Sequence, residues 1–503
     1  MAKPLPLEVK DNRTVLTRLP YESLLRQIGA IADELGIEVY LVGGAVRDAL
    51  LNRPTTDLDF VSIGAGSGIR LAQEIARKLG VGLAHVYPNF GTAAVRIPAG
   101  KFSDEPLVLE FVGARKESYR KNSRKPIVEE GTLADDLARR DFTINAMAVA
   151  LNANRWGELI DPFHGLADLQ SGILRTPLDP LTTFEDDPLR MLRAARFAAQ
   201  LGFRIHPETF EAMKQKAHRI QIVSPERITD ELQKIICAPR PSIGFKILYD
   251  AGLLQYILPE LTALAGVETI EGYKHKDNFL HTLQVVDNVA RMTTDRPCEE
   301  TRWLRWAALL HDIAKSRTKR FIPGEGWTFH GHEERGARWI PRIFKRLRLP
   351  TDERMKYVQK LIRLHHRPVA LVDEQVTDSA IRRLLFEAGD DIEDLMLLVR
   401  ADITSRNPRR VRRYLEAFDR LEKRMAEVEE KDRIRNFQPP ISGHEIMEIL
   451  GLSPGRAVGR IKEAIKEAIL EGTIPNEREA ALTYMMRIKD QVLQETPSTP
   501  SSS

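Results

Sequence analysis

Strand-like alternation is confined to the first part of this chain; from about Pro180 onward the apolar residues recur almost only at helical spacing. Periods near two and near 3.6 belong to different elements. The chain is therefore expected to be α+β and multidomain, with an α/β head followed by all-α parts. At 503 residues it is also too long for one core. Residues 21–155 are the expected head. Leu24, Leu25, Ile28, Ile31, Ala32 and Leu35 share one face of a helix over 21–36. Val39–Val42 is a strand, Ala45–Leu51 a short helix, Asp57–Val61 a second strand and Ile69–Leu79 a helix. Ala93–Ile97 and Leu107–Val112 are further strands, and Pro98–Pro106 is loop. A helical neck at 156–250, a body at 251–405 and a tail at 406–492 are expected to follow. Residues 1–20 read as an arm and Thr496–Ser503, rich in Ser, Pro and Thr, as disordered.

The head carries the first candidate site. Val39–Val42 runs into Gly43-Gly44 and then into a helix. That geometry lets backbone N–H groups approach phosphates, with Arg47 as a forked donor in the first helical turn. Asp57 and Asp59 lie two apart on a strand, so both carboxylates point to one face. Such a pair can hold magnesium, which takes oxygen ligands and shares them with substrate phosphates. Glu110, on a later strand, is a third candidate. A lone Gly-Gly is usually a turn and a lone DxD usually a solvated strand edge. It is their order, between apolar flanks, that points to nucleotide chemistry.

The segment Leu41–Phe60 resembles the first signature of the class II tRNA nucleotidyltransferase and poly(A) polymerase family. The resemblance implies a polymerase-β-like nucleotidyltransferase head, a helical neck, an HD-type body and a tail. It places Gly43, Gly44, Arg47 and Asp48 at the triphosphate, and Asp57 and Asp59 on Mg2+. Arg139 to Ala148 is similar to the family's RRD motif. That likeness implies nucleotide binding by Arg140, Asp141 and Asn145, on what reads as a helix start. Asp161 to Asp168 resembles the head–neck connector, with Asp168 the expected cap. Asp186 to Phe197 resembles the EDxxR motif, which serves as a protein template for the base; Asp186 stands where the family has Glu. Asp187 and Arg190, i and i+3, are read as one helix face. A carboxylate accepts from the exocyclic amine of cytosine or adenine and a guanidinium donates to the ring, so the pair favours C and A. Arg193 matches another nucleotide-binding arginine. Ser224 to Leu232 resembles the last neck motif, a capped helix bracing the recognition helix through Glu226 and Arg227.

His281, His311-Asp312 and Asp402 follow the H…HD…D order of HD-domain phosphohydrolases. Imidazoles and carboxylates suit a divalent metal, here Mg, Mn, Ni or Co without a choice among them. His332, His365 and His366 are additional candidates. The set is expected to be a working hydrolase of cyclic or terminal phosphates.

Net charge excludes little: 75 basic residues against 71 acidic give +4, so any RNA-binding surface is local. Arg409–Arg413 and the Arg420, Lys423, Arg424 group are candidates for phosphate contact. Ile441–Gly443 and Leu452–Gly459 resemble the family's C-terminal region, and the likeness covers about residues 35 to 485. The two cysteines, Cys237 and Cys298, form no CxxC pair and indicate neither a disulfide framework nor a zinc ribbon. With no signal-like N-terminus and no membrane-length apolar run, the chain is expected to be cytoplasmic. The resemblance implies addition of CCA to tRNA from CTP and ATP, with tRNA, ATP and CTP as partners and no membrane. Poly(A) polymerase and a split enzyme adding only CC or only A are the near alternatives. A metal phosphohydrolase with a nucleotide-sensing head and a non-catalytic RNA-binding protein are the distant ones. Oligomeric state is left open.

Overall fold

The computed structural model describes residues 21–88, 91–118, 127–372, 376–405, 407–432, 434–435 and 437–494. The arm at 1–20 and the tail Thr496–Ser503 lie outside the described residues. The chain divides into two compact units at Ile257/Leu258.

In the first unit, α1 (Glu22–Leu35) buries the stripe Leu24, Leu25, Ile28, Ile31 and Ala32. Gly36 ends it at φ 65°, returning its N–H to the carbonyls of Ala32 and Asp33. A seven-stranded sheet follows, built from β1 (Val39–Val42), β2 (Asp57–Ser62), β3 (Leu83–Tyr87), β4 (Thr92–Ile97) and β5 (Leu107–Gly113) with two later strands. β6 (Arg115–Ser118) and β7 (Ile127–Glu130) form a separate antiparallel pair, and β8 (Ala148–Ala150) and β9 (Leu159–Ile160) complete the sheet. Its order is β3-β4-β5-β2-β1-β8-β9, and only β2 and β5 are parallel. α2 (Gly44–Leu50) and α3 (Ser67–Leu79) are the helices between these strands.

Register places the acids. Asp59 pairs with Val42 on β1 and with Glu110 on β5, and Phe60 pairs with Phe111. The Phe60 and Phe111 rings stack at 4.7 Å and both are fully buried. Burying each ring contributes roughly 1.5–3 kcal/mol. A one-residue slip would turn Asp57 and Asp59 into that core, so packing of Phe60 fixes the acids outward. On the acids' own face, Val61 joins Tyr40, Val42, Leu137, Ala146, Ala148 and Ala150 in a second apolar cluster. The acids stand at its rim.

After the sheet come α4 (Leu133–Ala138), α5 (Gly165–Ser171), α6 (Pro180–Asp186), α7 (Leu189–Leu201), α8 (Pro207–Lys216), α9 (Pro225–Ile236), α10 (Pro241–Asp250) and α11 (Leu254–Ile257). The expected all-α neck carries one two-residue parallel pair, Ile173–Leu174 with Arg204–Ile205. Ser224 occupies the N-cap of α9, but its side chain makes no capping bond. Asp168 is not a cap either. Asp161 takes that role, accepting from the N–H of Gly165 and Leu166 at 2.6 and 2.9 Å. Asp168 is turned inward to Thr143 Oγ1 and Arg175 instead.

The longer helices of the second unit are α12 (Asn278–Met292), α13 (Cys298–Leu310), α14 (His332–Leu347), α15 (Glu353–Leu364), α16 (Asp378–Ala388), α17 (Ile392–Ala401), α18 (Pro408–Asp432), α19 (Gly443–Leu450), α20 (Arg456–Glu471) and α21 (Arg478–Gln494). Ser442 opens α19 with a reciprocal capping box to Glu445. Neither cysteine is a free thiol. Their spacing, which indicated no disulfide framework, did not anticipate this, because it is blind to partners outside a motif. Among the described residues no helix is long and apolar enough to cross a membrane.

Candidate active site and metal centre

β1 ends in Gly43, whose φ of 71° favours glycine. A side chain there would set Cβ 2.8 Å from Arg140 Nη1 and 3.8 Å from Asp59 Oδ2. The glycine therefore permits a close approach of three elements. A cavity of about 520 Å3 opens at this point. Gly43, Gly44, Arg47, Asp57 and Asp59 line it from the sheet; Arg140, Asp141 and Asn145 line it from the turn after α4; Asp187, Arg190 and Arg193 line it from α7 and its entry.

The turn after α4 corrects one expectation. Arg139 to Asn145 is not a helix start: Arg139 is the C-cap of α4 and Thr143–Asn145 is a single 3-10 turn. Basic side chains suit a helix C-terminus, and Arg139 and Arg140 both pair with the fully enclosed Asp136 at 2.8 and 3.0 Å. Burial alone would raise the Asp136 carboxyl, but Arg140 and Arg139 hold it below its ordinary range. Asp141 faces Arg193 Nε at 2.6 Å and Asn145 Nδ2 at 3.0 Å. Burial opposes its charge too, and Arg193 and Asn145 overcome it. Asp141 thus holds its neighbours in place while it lines the cavity.

Asp187 and Arg190 do not share one helix face. α6 ends at Asp186, Asp187 is extended, and α7 begins at Leu189. Pro188 causes the break, since the residue before proline avoids the helical region. Both side chains still reach the cavity. Arg227 of α9 donates to Asp187 Oδ2 at 3.0 Å, which braces the segment between α6 and α7 from the last neck motif. Asp59 is raised by burial, against Arg140, with the Asp57 charge adding to the rise. Glu110 is raised by burial and by Asp59.

The second unit gathers the HD residues at helix ends. His281 lies in the first turn of α12, while His311 follows α13 and Asp402 follows α17. His332 opens α14 and His365 closes α15. His281 Nε2 meets Asp402 Oδ1 at 2.8 Å, and His311 Nε2 meets Asp312 Oδ2 at 3.2 Å. Two donor groups, His281/His311/Asp312 and Asp312/His332/His365, each keep their ligand atoms within 4.8 Å. Burial alone would lower His311, yet Asp312 and Asp402 raise it to about 10. His311 Nε2 and both Asp312 oxygens are fully enclosed and face one another and His332 Nε2 at 3.2 Å, which is the donor set a cation fits. A cavity of about 570 Å3 adjoins His281, Asp402 and His366 and is lined on another side by Lys276, Arg410 and Tyr414.

Comparison with known proteins follows the same order along the chain. Residues 39–175 match the Poly A polymerase head domain, 202–264 the probable RNA and SrmB-binding site of polymerase A, and 278–407 the HD domain. The A-adding tRNA nucleotidyltransferase of Deinococcus radiodurans is 33% identical over 451 residues, covering 88% of this chain and 93% of that protein. This chain belongs to the tRNA nucleotidyltransferase family. The Multifunctional CCA protein of Pseudomonas aeruginosa is 37% identical over 330 residues, 63% of this chain and 72% of that one. A crystal structure of the Bacillus stearothermophilus CCA-adding enzyme in complex with CTP is 25% identical and covers 95% of this chain and 99% of that one, with a TM-score of 0.64.

In this tRNA nucleotidyltransferase two expected head residues stand apart from the cavity lining. Asp48 is turned to Arg47, which it meets at 2.9 Å. Glu110 sits beside Asp59 in register but is not among the lining residues. Arg139, Arg196, Phe197 and Arg227 line the cavity without having been picked out as nucleotide contacts. Arg196 leaves a readable trace: it continues the Arg190, Arg193 spacing along α7. In the tail, Arg424 is spent on the Val376 carbonyl and Asp378, and Arg410 on the HD cavity. Part of the expected RNA-facing charge is therefore used within the second unit.

Proposed function

We propose that this tRNA nucleotidyltransferase adds or repairs the 3′-terminal CCA of tRNA from CTP and ATP, releasing pyrophosphate. The observation that carries the reading is one cavity lined by the diglycine turn, the paired acids, the RRD turn and the Asp187/Arg190 segment. The tRNA 3′-hydroxyl attacks the α-phosphorus of the bound triphosphate, and the bond to pyrophosphate breaks. Asp57 and Asp59, with Glu110 beside them, are the residues that would hold Mg2+. Magnesium completes its shell with oxygens of the substrate phosphates. When bound, magnesium supplies charge compensation at the reacting phosphate and the leaving group. Gly43 and Gly44 let backbone approach the phosphates, and Arg47, Arg140 and Arg193 donate to them, with Asn145 anchoring Arg47 at 2.8 Å. Asp187 and Arg190 read the base edge. In this reading residues 21–155 are the head, 156–250 the neck, 251–405 the HD body and 406–492 a tail that contacts tRNA, and the enzyme works in the cytoplasm.

The HD body is read as a metal-dependent phosphohydrolase, with His281, His311, Asp312 and Asp402 as ligands. Its imidazoles favour a transition ion over magnesium. A second reading of the head has its own support: the alignment to the A-adding relative spans more of this chain than that to the multifunctional protein. Purified protein incubated with tRNA ending before CCA, after the first C, or after CC, with CTP and ATP separately and together, decides among these. CCA addition gives three added residues on the shortest tRNA with both triphosphates. An A-adding enzyme extends only the CC-ended tRNA, and a poly(A) polymerase extends with ATP beyond one residue. No extension of any substrate would sink the head assignment.

A further inference from the structure

One ring of the nucleotide cavity carries three cations. The guanidinium carbons of Arg196, Arg47 and Arg193 stand over Phe197 at 4.2, 4.9 and 5.5 Å from the ring centroid. Arg193 precedes Phe197 by four residues on α7, so helical spacing alone brings it close. Arg47 comes from α2, the helix of the diglycine turn, and owes its place to the fold. All four residues line the cavity, yet Phe197 is only 3% exposed. Phe142, fully buried after α4, packs perpendicular to the ring at 5.9 Å.

Acids and ring restrain different motions of these arginines. Arg47 gives Nε and Nη2 to Asp48 at 2.9 Å each, and Nη1 to Asn145 at 2.8 Å. Arg193 Nε meets Asp141 Oδ2 at 2.6 Å, and Arg196 Nε lies 2.7 Å from Glu231 Oε2. These partners hold the edges of the guanidiniums. The group is planar, and an aromatic face steadies the plane itself. Crowding shows in the charges too. Burial, with Arg193 and Arg47 adding to it, lowers Arg196 to about 10 against the pull of Glu231. Like charges this close drift apart unless something attracts them all, and the negative face of the ring is a partner that all three share.

We propose that Phe197 is a positioning residue for the triphosphate: its ring face orders Arg47, Arg193 and Arg196 toward the phosphates before the nucleotide arrives. A leucine at this position fills most of the space and offers no such face. The proposal rests on reading the cavity as the nucleotide site. The base edge is left to Asp187 and Arg190, so the ring acts alike on every triphosphate the enzyme takes. The arginines grip the phosphates in the bound state and through the reaction, so the effect falls on affinity and not on turnover.

Graded fluorination of the ring tests this. Fluorine withdraws electron density from the ring face and changes the ring's size little. Full-length protein carrying phenylalanine with one, two or three fluorines at position 197 is compared with wild type. Equilibrium dialysis with Mg2+ gives Kd for CTP, ATP and inorganic tripolyphosphate; extension of tRNA lacking CCA, or ending after CC, gives kcat. Kd is expected to rise stepwise, by about 10-fold in all, and alike for the three ligands, with kcat within about twofold of wild type. Phe197→Leu is expected to match the fully fluorinated protein; if it fails to fold, the fluorinated series, which keeps the ring, decides. A Kd that stays flat along the series overturns the proposal, because a ring that merely fills the core does not sense its own electron density. So does a loss confined to one triphosphate, or a fall in kcat at unchanged Kd. A wild type that extends no tRNA sinks the nucleotidyltransferase reading instead, and the proposal with it.

Discussion

At the scale of single residues, the head depends on charges that are positioned by other charges. Asp59 is half-buried, sits opposite Val42 and faces the Gly43 turn. Asp59→Ala is expected to lower tRNA extension by about 10²-fold or more while leaving the fold intact, as single-turnover assays and circular dichroism would show. Asp136 works at one remove. It makes no contact with the cavity and is the shared partner of Arg139 and Arg140. Asp136→Ala removes the shared buried partner of two part-buried guanidiniums and is expected to cost about 3–5 kcal/mol in urea unfolding. Its acid dependence has a definite sign. The folded carboxyl is held below the unfolded value of 3.8. Its stabilising contribution is complete above that value and is lost as pH falls through it toward the folded pKa. Unfolding midpoints followed from about pH 6 to about pH 3 should fall for the wild type, and Asp136→Asn should flatten that decline.

At the scale of elements, the break between α6 and α7 matters most. Pro188 stops α6 from running on, which frees Asp187 from helical geometry and lets Arg227 reach it. Pro188→Ala is expected to let the helix continue, withdraw Asp187 from the base edge and reduce the preference for CTP over UTP by about 10-fold, measured as a ratio of kcat/KM. This break also marks what the sequence conveys well and badly. β1, α2 and β2 were legible because an apolar run, a diglycine and an alternating DxD each impose one geometry. Asp187 and Arg190 both reach the cavity, but not from one helix face, because spacing alone ignores what proline does to its neighbour. β8, Ala148–Ala150, has no strand-like composition; it exists because β1 pairs with it and the core covers it. The HD donors were visible as histidines and acids, whereas the split of Asp312 between two imidazole pairs needs the fold.

At the scale of the whole molecule, the two chemistries use residues from different compact units. They should therefore be separable by mutation. His311→Ala is expected to abolish phosphohydrolase activity and leave tRNA extension within about twofold of wild type, while Asp57→Ala does the reverse. Loss of both activities in His311→Ala, with the protein still folded by circular dichroism, would show that the units act as one.

The nucleotide cavity is lined by many guanidiniums, yet most already have an acidic companion: Asp48 for Arg47, Asp136 for Arg139 and Arg140, Asp141 for Arg193, Glu231 for Arg196 and Asp187 for Arg227. An empty pocket so balanced is a poor sink for stray anions, because a small guest such as orthophosphate would have to outbid every companion it displaces. A larger guest that arrives with its own cations and touches many arginines at once meets no such competition.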